Sequence, residues 1–138
     1  SVPENFQMNK ALTVREGRDV TLIACGELVR PALDAAALLE EKGISARVID
    51  MYCVKPLDKD AVRKAARETK AIVTAEEHSI YGGMGSMVSQ VVGESHPIPV
   101  KNLALPDEPA IAGKSAEVFA HYGLDAQGIA KAAEELLP

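Results

Sequence analysis

Glu76, Glu77 and His78 are three consecutive titratable residues at the end of a β-branched run, and Gly82, Gly83, Gly85 and Ser86 follow them closely. Carboxylates and an imidazole are the groups that general acid–base chemistry uses. Here, consecutive residues leaving a strand point in different directions, and no nucleophile or second histidine stands at a helpful spacing. A structural or interface role fits the three residues better than catalysis. The glycines carry a second meaning. A helix that opens on them turns unpaired N–H groups and the positive end of its dipole toward the loop. Such a place takes an anion, a carboxylate or a neighbouring chain, so Glu76, Glu77, His78, Gly82, Gly83, Gly85 and Ser86 are the candidates for an interface or an anion loop.

The other chemical signals are weaker. Reading G-x-G-x-x-G from Gly83 puts Val88 at the third glycine position, and the loop does not belong to the first strand-to-helix turn. A tight turn that lets a helix and a strand approach closely explains these glycines better than dinucleotide binding does. Asp50 stands about where an acidic residue would meet a ribose, but the first turn, around Gly26, lacks the glycines that admit a pyrophosphate. Gly113, Lys114 and Ser115 resemble the end of a P-loop, yet Glu108 occupies the required glycine position and no strand leads in. His96 and His121 read as solvated or capping groups. Cys25 and Cys53 form no C-x-x-C pair and read as buried, reduced thiols. The residues by themselves therefore support no catalytic constellation and no metal site.

The elements that present the loop follow from periodicity. Residues 10–15 form a short first strand, ended at Glu16 and Gly17. Residues 19–25 form a nearly unbroken apolar run, as expected of a strand buried on both faces of a parallel sheet. A helix follows in which Val29, Ala32, Ala36 and Leu39 repeat at helical spacing, with Pro31 early and a stop at Lys42 and Gly43. Residues 46–51 form the next strand. Asp58 then caps a second helix, with Leu57 and Val62 as a hydrophobic staple. Residues 71–75 form the strand that leads to the glycine loop, and Met84, Met87, Val88, Val91 and Val92 make one core-facing helical stripe beyond it. A further strand near residues 98–103, flanked by prolines, suits a sheet edge. A short helix over residues 116–122 is closed by Gly123, and Asp125 caps the last helix with Leu124 and Ile129 as its staple. Strands alternating with helices imply right-handed crossovers and a three-layer α/β/α architecture. The turn at residues 16–18 is too short for a parallel crossover, so the first strand must run antiparallel to the rest.

The totals agree with this architecture. The chain has 138 residues, the length of one ordinary domain, with 47% hydrophobic and 25% charged residues. Residues 10–138 are expected to be that domain, and residues 1–9, polar and irregular, the remnant of a linker from an upstream one. Fifteen Lys plus Arg against twenty Asp plus Glu leave a formal charge of -5 without a basic block. That balance favours neither nucleic acid nor an anionic membrane, and a cytoplasmic protein is expected.

Residues 15–23, residues 43–58, residues 72–78 with Gly82 to Ser86, and residues 122–125 with Ile129, taken in this order, resemble the C-terminal domain of thiamine-diphosphate-dependent transketolases. The resemblance runs from Lys10 to Leu137. It implies a five-stranded mixed sheet with an antiparallel first strand, and a non-catalytic assembly role in an enzyme that moves two-carbon ketol units between sugar phosphates in the pentose phosphate pathway. It also implies that thiamine diphosphate and a divalent metal, magnesium or calcium, lie in other domains or a partner subunit of a homodimeric parent. This domain would then bind no cofactor and be inactive alone. Related domains occur in deoxyxylulose phosphate synthase and the beta subunit of 2-oxoacid dehydrogenases, and an anion- or nucleotide-binding regulatory module is the rival from another class. Where many relatives carry an aromatic residue and a Ser-Gly pair, this chain has Glu108 and the pair Ala112 and Gly113.

Overall fold

In the computed structural model, which describes residues 10–52, 54, 56–77, 83–105 and 116–138, the long apolar run becomes β2 (Val20–Ala24), and all five of its residues are buried. With it β1 (Leu12–Arg15), β3 (Ala46–Asp50), β4 (Ile72–Glu76) and β5 (Val100–Ala104) form one sheet in the order β1-β3-β2-β4-β5. β2, β3, β4 and β5 pair in parallel, and β1 pairs antiparallel with β3. The expected mixed sheet is thus present. β5 lies at one edge, and it begins just after Pro99, whose missing N–H cannot join a ladder.

β1 is not a hairpin partner of β2. The link between them crosses the start of β3, and Gly17 is what lets it pass: a Cβ there would lie 2.2 Å from the Ala46 carbonyl carbon. The buried Arg47 side chain fixes this crossing from below, donating from Nε to the Gly17 carbonyl at 3.1 Å and meeting Glu68 at 2.9 Å. Along β1, Thr13 pairs with Ile49 and Arg15 with Val48, so Val14 is an extra, bulged residue. Such a bulge twists an edge strand away from stacking with another chain.

Alternation along the strands feeds two cores. Val20, Leu22 and Ala24 of β2 and Val73 and Ala75 of β4 face a cluster closed by α1 (Val29–Glu41) and α5 (Ala126–Leu136), with Val118 and Phe119 of α4 (Ala116–His121) packed against it. Ile23, Ile49 and Ile72 face the opposite cluster, under α2 (Lys59–Glu68) and α3 (Met84–Ser95). Helices therefore cover both faces.

The helix ends follow local chemistry. Asp58 accepts from the Ala61 N–H at 3.1 Å and Asp125 from the Gly128 N–H at 2.8 Å. Asp58 also accepts from the Ala11 N–H at 2.8 Å, which ties the approach to β1 to the start of α2. At the end of α1, Gly43 has φ 79, its N–H reaches the Glu40 carbonyl, and the Ile44 N–H reaches that of Leu39. These two bonds make a Schellman stop that a side chain would strain. One turn was not anticipated: residues Gly26–Leu28 form a 3-10 turn ahead of α1, with Gly26 at φ 62.

Candidate functional site

The register of the sheet decides what meets at its carboxyl end. Ala24 pairs with Asp50 on one side and Ala75 on the other, so Cys25, Asp50 and Glu76 leave neighbouring strands together. Glu76 is only 2% exposed although it is charged. The start of the next helix explains why it tolerates burial. The Glu76 Oε1 accepts from the Met84 N–H at 2.9 Å, and Oε2 accepts from the Gly85 N–H at 2.6 Å. α3 begins after Gly83, which has no side chain with which to cap it. A carboxylate from the preceding strand therefore supplies the cap and meets the positive end of the helix dipole.

This arrangement revises two of the loop candidates. Glu76 is turned inward, and the anion at the start of α3 belongs to the chain itself. Gly85 is also buried, in the first turn of α3. A Cβ at Gly85 would lie 2.8 Å from Asn102 Cγ and 2.9 Å from Thr74 Oγ1. Gly85 thus permits the close approach of helix to sheet expected of a packing glycine. Beneath it runs a polar chain: Thr74 Oγ1 lies 2.8 Å from Asn102 Oδ1, and Asn102 donates to Ser89 Oγ at 3.1 Å. Gly83 and Ser86 are half-buried, and Glu77 leaves the strand end next to Gly26, where a Cβ would lie 3.9 Å from its Oε2. His78 and Gly82 lie outside the described residues, as do Cys53 and the segment from Pro106 to Ser115.

The electrostatics at this end are negative. Burial, and then the carboxylates of Glu76, Asp50 and Glu77, push the Cys25 thiol up to about 11. Burial also raises the Asp50 carboxyl above its ordinary value. A pyrophosphate needs free donors and positive charge. Here the first two N–H groups of α3 already serve Glu76, and Asp50 and Glu77 beside them are acidic, so these described residues do not fit the pyrophosphate of thiamine diphosphate. No group of three His, Cys, Asp or Glu side chains among the described residues is arranged to hold a metal ion.

His96 and His121 are exposed; His96 follows α3, and His121 meets the Tyr122 ring edge-on at 4.8 Å. No helix among the described residues is long and apolar enough to cross a membrane. Sequence reasoning recognised the glycine loop but missed the partner of its helix. The available signal was the glycine N-cap itself: a helix that lacks its own cap needs an acceptor from elsewhere, and Glu76 is the carboxylate that ends the preceding strand.

Comparison with known proteins agrees with the fold. The sequence profile of the family described as "Transketolase, C-terminal domain" matches residues 9–129. Over 132 residues the chain is 50% identical to one of the subunits of an apulose-4-phosphate transketolase from Phocaeicola vulgatus, covering 96% of this chain and 42% of that protein. It is 45% identical over 124 residues to 1-deoxy-D-xylulose-5-phosphate synthase 1 of Geobacter sulfurreducens, covering 88% of this chain and 20% of that protein. A solved structure described as a split gene transketolase, inactive beta4 tetramer, superposes with a TM-score of 0.87 at 40% identity, covering 99% of this chain and 46% of that one. The chain spans less than half the length of these relatives.

Proposed function

Because the chain belongs to the transketolase C-terminal domain family, we propose that it is the non-catalytic assembly part of an enzyme that transfers two-carbon ketol units between sugar phosphates. The thiamine diphosphate and divalent metal of that enzyme are held by a partner subunit or by other domains of a homodimer, and the enzyme works in the cytoplasm, in pentose phosphate metabolism. The observation that carries this reading is the Glu76 carboxylate lodged against the Met84 and Gly85 N–H groups, which turns the start of α3, a place receptive to an anion, into an internal brace. Glu77, His78, Gly82, Gly83 and Ser86 are the loop residues proposed for contact with a neighbour, while Glu76 and Gly85 are buried and brace the start of α3.

Sedimentation of this chain mixed with the thiamine-diphosphate-binding part of its enzyme tests the proposal. A complex should form, and Gly83→Trp or the double change of Glu77 and His78 to alanine should weaken it. Complexes equally stable in the variants would remove the glycine loop from the interface. The 45% identity to a deoxyxylulose phosphate synthase favours a second reading, in which the same domain supports that reaction. Supplying the chain to each catalytic part in turn separates the two.

A further inference from the structure

Two helices carry a charge at the end where their own dipole disfavours it, and both charges stand on one groove. Lys59, exposed, is the first residue of α2, and Glu94, also exposed, is the last but one of α3. A cation at a helix start and an anion at a helix end are each unfavourable to the helix that bears them. Neither makes an ion pair among the described residues. Asp60, next to Lys59, is engaged by Arg63 at 3.0 Å, and Glu94 accepts only from Gln90 Nε2, at 3.1 Å.

The groove has a volume of about 280 Å³. One wall is a stripe of α3, in which Met87, Gln90, Val91 and Glu94 fall at i, i+3, i+4 and i+7. The other is the entry to α2, with Val54, Pro56 and Leu57 leading to Lys59. Leu57 and Val91 belong to the buried cluster under these helices, and Val54 and Met87 are half-buried against it. An apolar strip thus continues the core outward, with a lone cation on one wall and a lone anion on the other. The groove between α1 and α5 differs, because its Lys42 and Glu134 already pair with each other at 3.0 Å.

A surface with one charge of each sign on opposite walls of an apolar strip is its own complement. An interface between identical chains related by a two-fold axis requires that property, since each residue contacts in the other copy the residue that contacts it. We infer that the α2/α3 groove is a contact between two copies of this chain, with Lys59 of each copy meeting Glu94 of the other across the apolar strip. Both charges then gain the partner that their own helices deny them. This goes beyond the assembly reading and does not depend on it, because it concerns the contact of the chain with itself.

Sedimentation equilibrium of the 138-residue chain, from about 1 μM to about 1 mM, covers the range in which modest interfaces assemble. A reversible dimer should form. Lys59→Glu and Glu94→Lys should each weaken it about tenfold or more, since like charges then face each other at both contacts. Either reversal puts at its helix end the charge that the dipole favours, so the fold should be kept, as circular dichroism can verify. An equimolar mixture of the two variants should recover a dimer of parental strength, because opposite charges meet again at both contacts. A chain that stays monomeric throughout overturns the assignment. A dimer that ignores the reversals, or that the mixture fails to restore, overturns it as well. A monomeric chain whose complex with the thiamine-diphosphate-binding part weakens on reversal gives the groove to that part and equally refutes the contact between copies.

Discussion

Glu76→Ala is the most informative single change to the fold. It deletes a buried carboxylate that accepts two backbone N–H groups, from Met84 at 2.9 Å and Gly85 at 2.6 Å, and both donors are enclosed. A hydrogen bond to a charged group contributes about 1.5–3 kcal/mol, and an orphaned buried donor costs a similar amount. The lost interaction with the helix dipole adds up to about 1 kcal/mol. The desolvation of the carboxylate itself opposes these gains, so the net loss should be about 3 kcal/mol. Glu76→Gln keeps one acceptor oxygen but turns an NH₂ toward the other N–H, and should lose about half as much. The chain has no tryptophan, so urea unfolding is best followed by far-ultraviolet circular dichroism, and for a domain of this size the alanine change should lower Tm by roughly 10 °C. If Glu76→Ala stays within about 0.5 kcal/mol of the parent, the carboxylate is not the brace of α3, and the internal-anion reasoning fails.

Gly85→Ala should destabilise by about 1–3 kcal/mol despite alanine's better helix propensity, because its Cβ would press on Asn102 and Thr74; denaturant midpoints decide. Asp58→Ala should lose about 2 kcal/mol, since it removes the α2 cap and frees the Ala11 N–H together, and amide exchange at Ala11 and Ala61 should accelerate in step. Asp50 is held above its ordinary value by burial, so the folded state favours its neutral form. Stability tied to that group is present at acid pH and is lost as pH rises through the raised value. Asp50→Asn should therefore gain on the parent between acid and neutral pH in paired unfolding curves. With the Cys25 thiol up to about 11, on the order of one thiol in a thousand is ionised at pH 8, and alkylation of Cys25 in a Cys53→Ser chain should be slow there and accelerate steeply only toward pH 11.

Much of this fold is written in local chemistry. The cap residues Asp58 and Asp125, the glycine stops at Gly43 and Gly123, and the apolar run of β2 each depend on a few consecutive side chains, so they are legible before any tertiary contact exists. What remained hidden depends on paths through space. Gly17 reads as a turn residue, but its decisive contact is with Ala46, where the link to β2 crosses the start of β3. The bulge at Val14 is set by pairing with a strand more than thirty residues away. The sequence marks Glu76 as part of the important loop but not its inward direction, because the donors it serves, the Met84 and Gly85 N–H groups, stand eight and nine residues further along the chain. The glycines likewise divide by position: Gly83 opens α3, whereas Gly85 is already inside it and lets the helix settle onto Thr74 and Asn102.

The most direct test of the assembly role is thiamine-diphosphate-dependent ketol transfer by the catalytic part of the enzyme, measured at saturating cofactor with and without the 138-residue chain. Sugar-phosphate product should form at full rate only when the chain is present, and the chain alone should form none. Full activity of the catalytic part without the chain would contradict it.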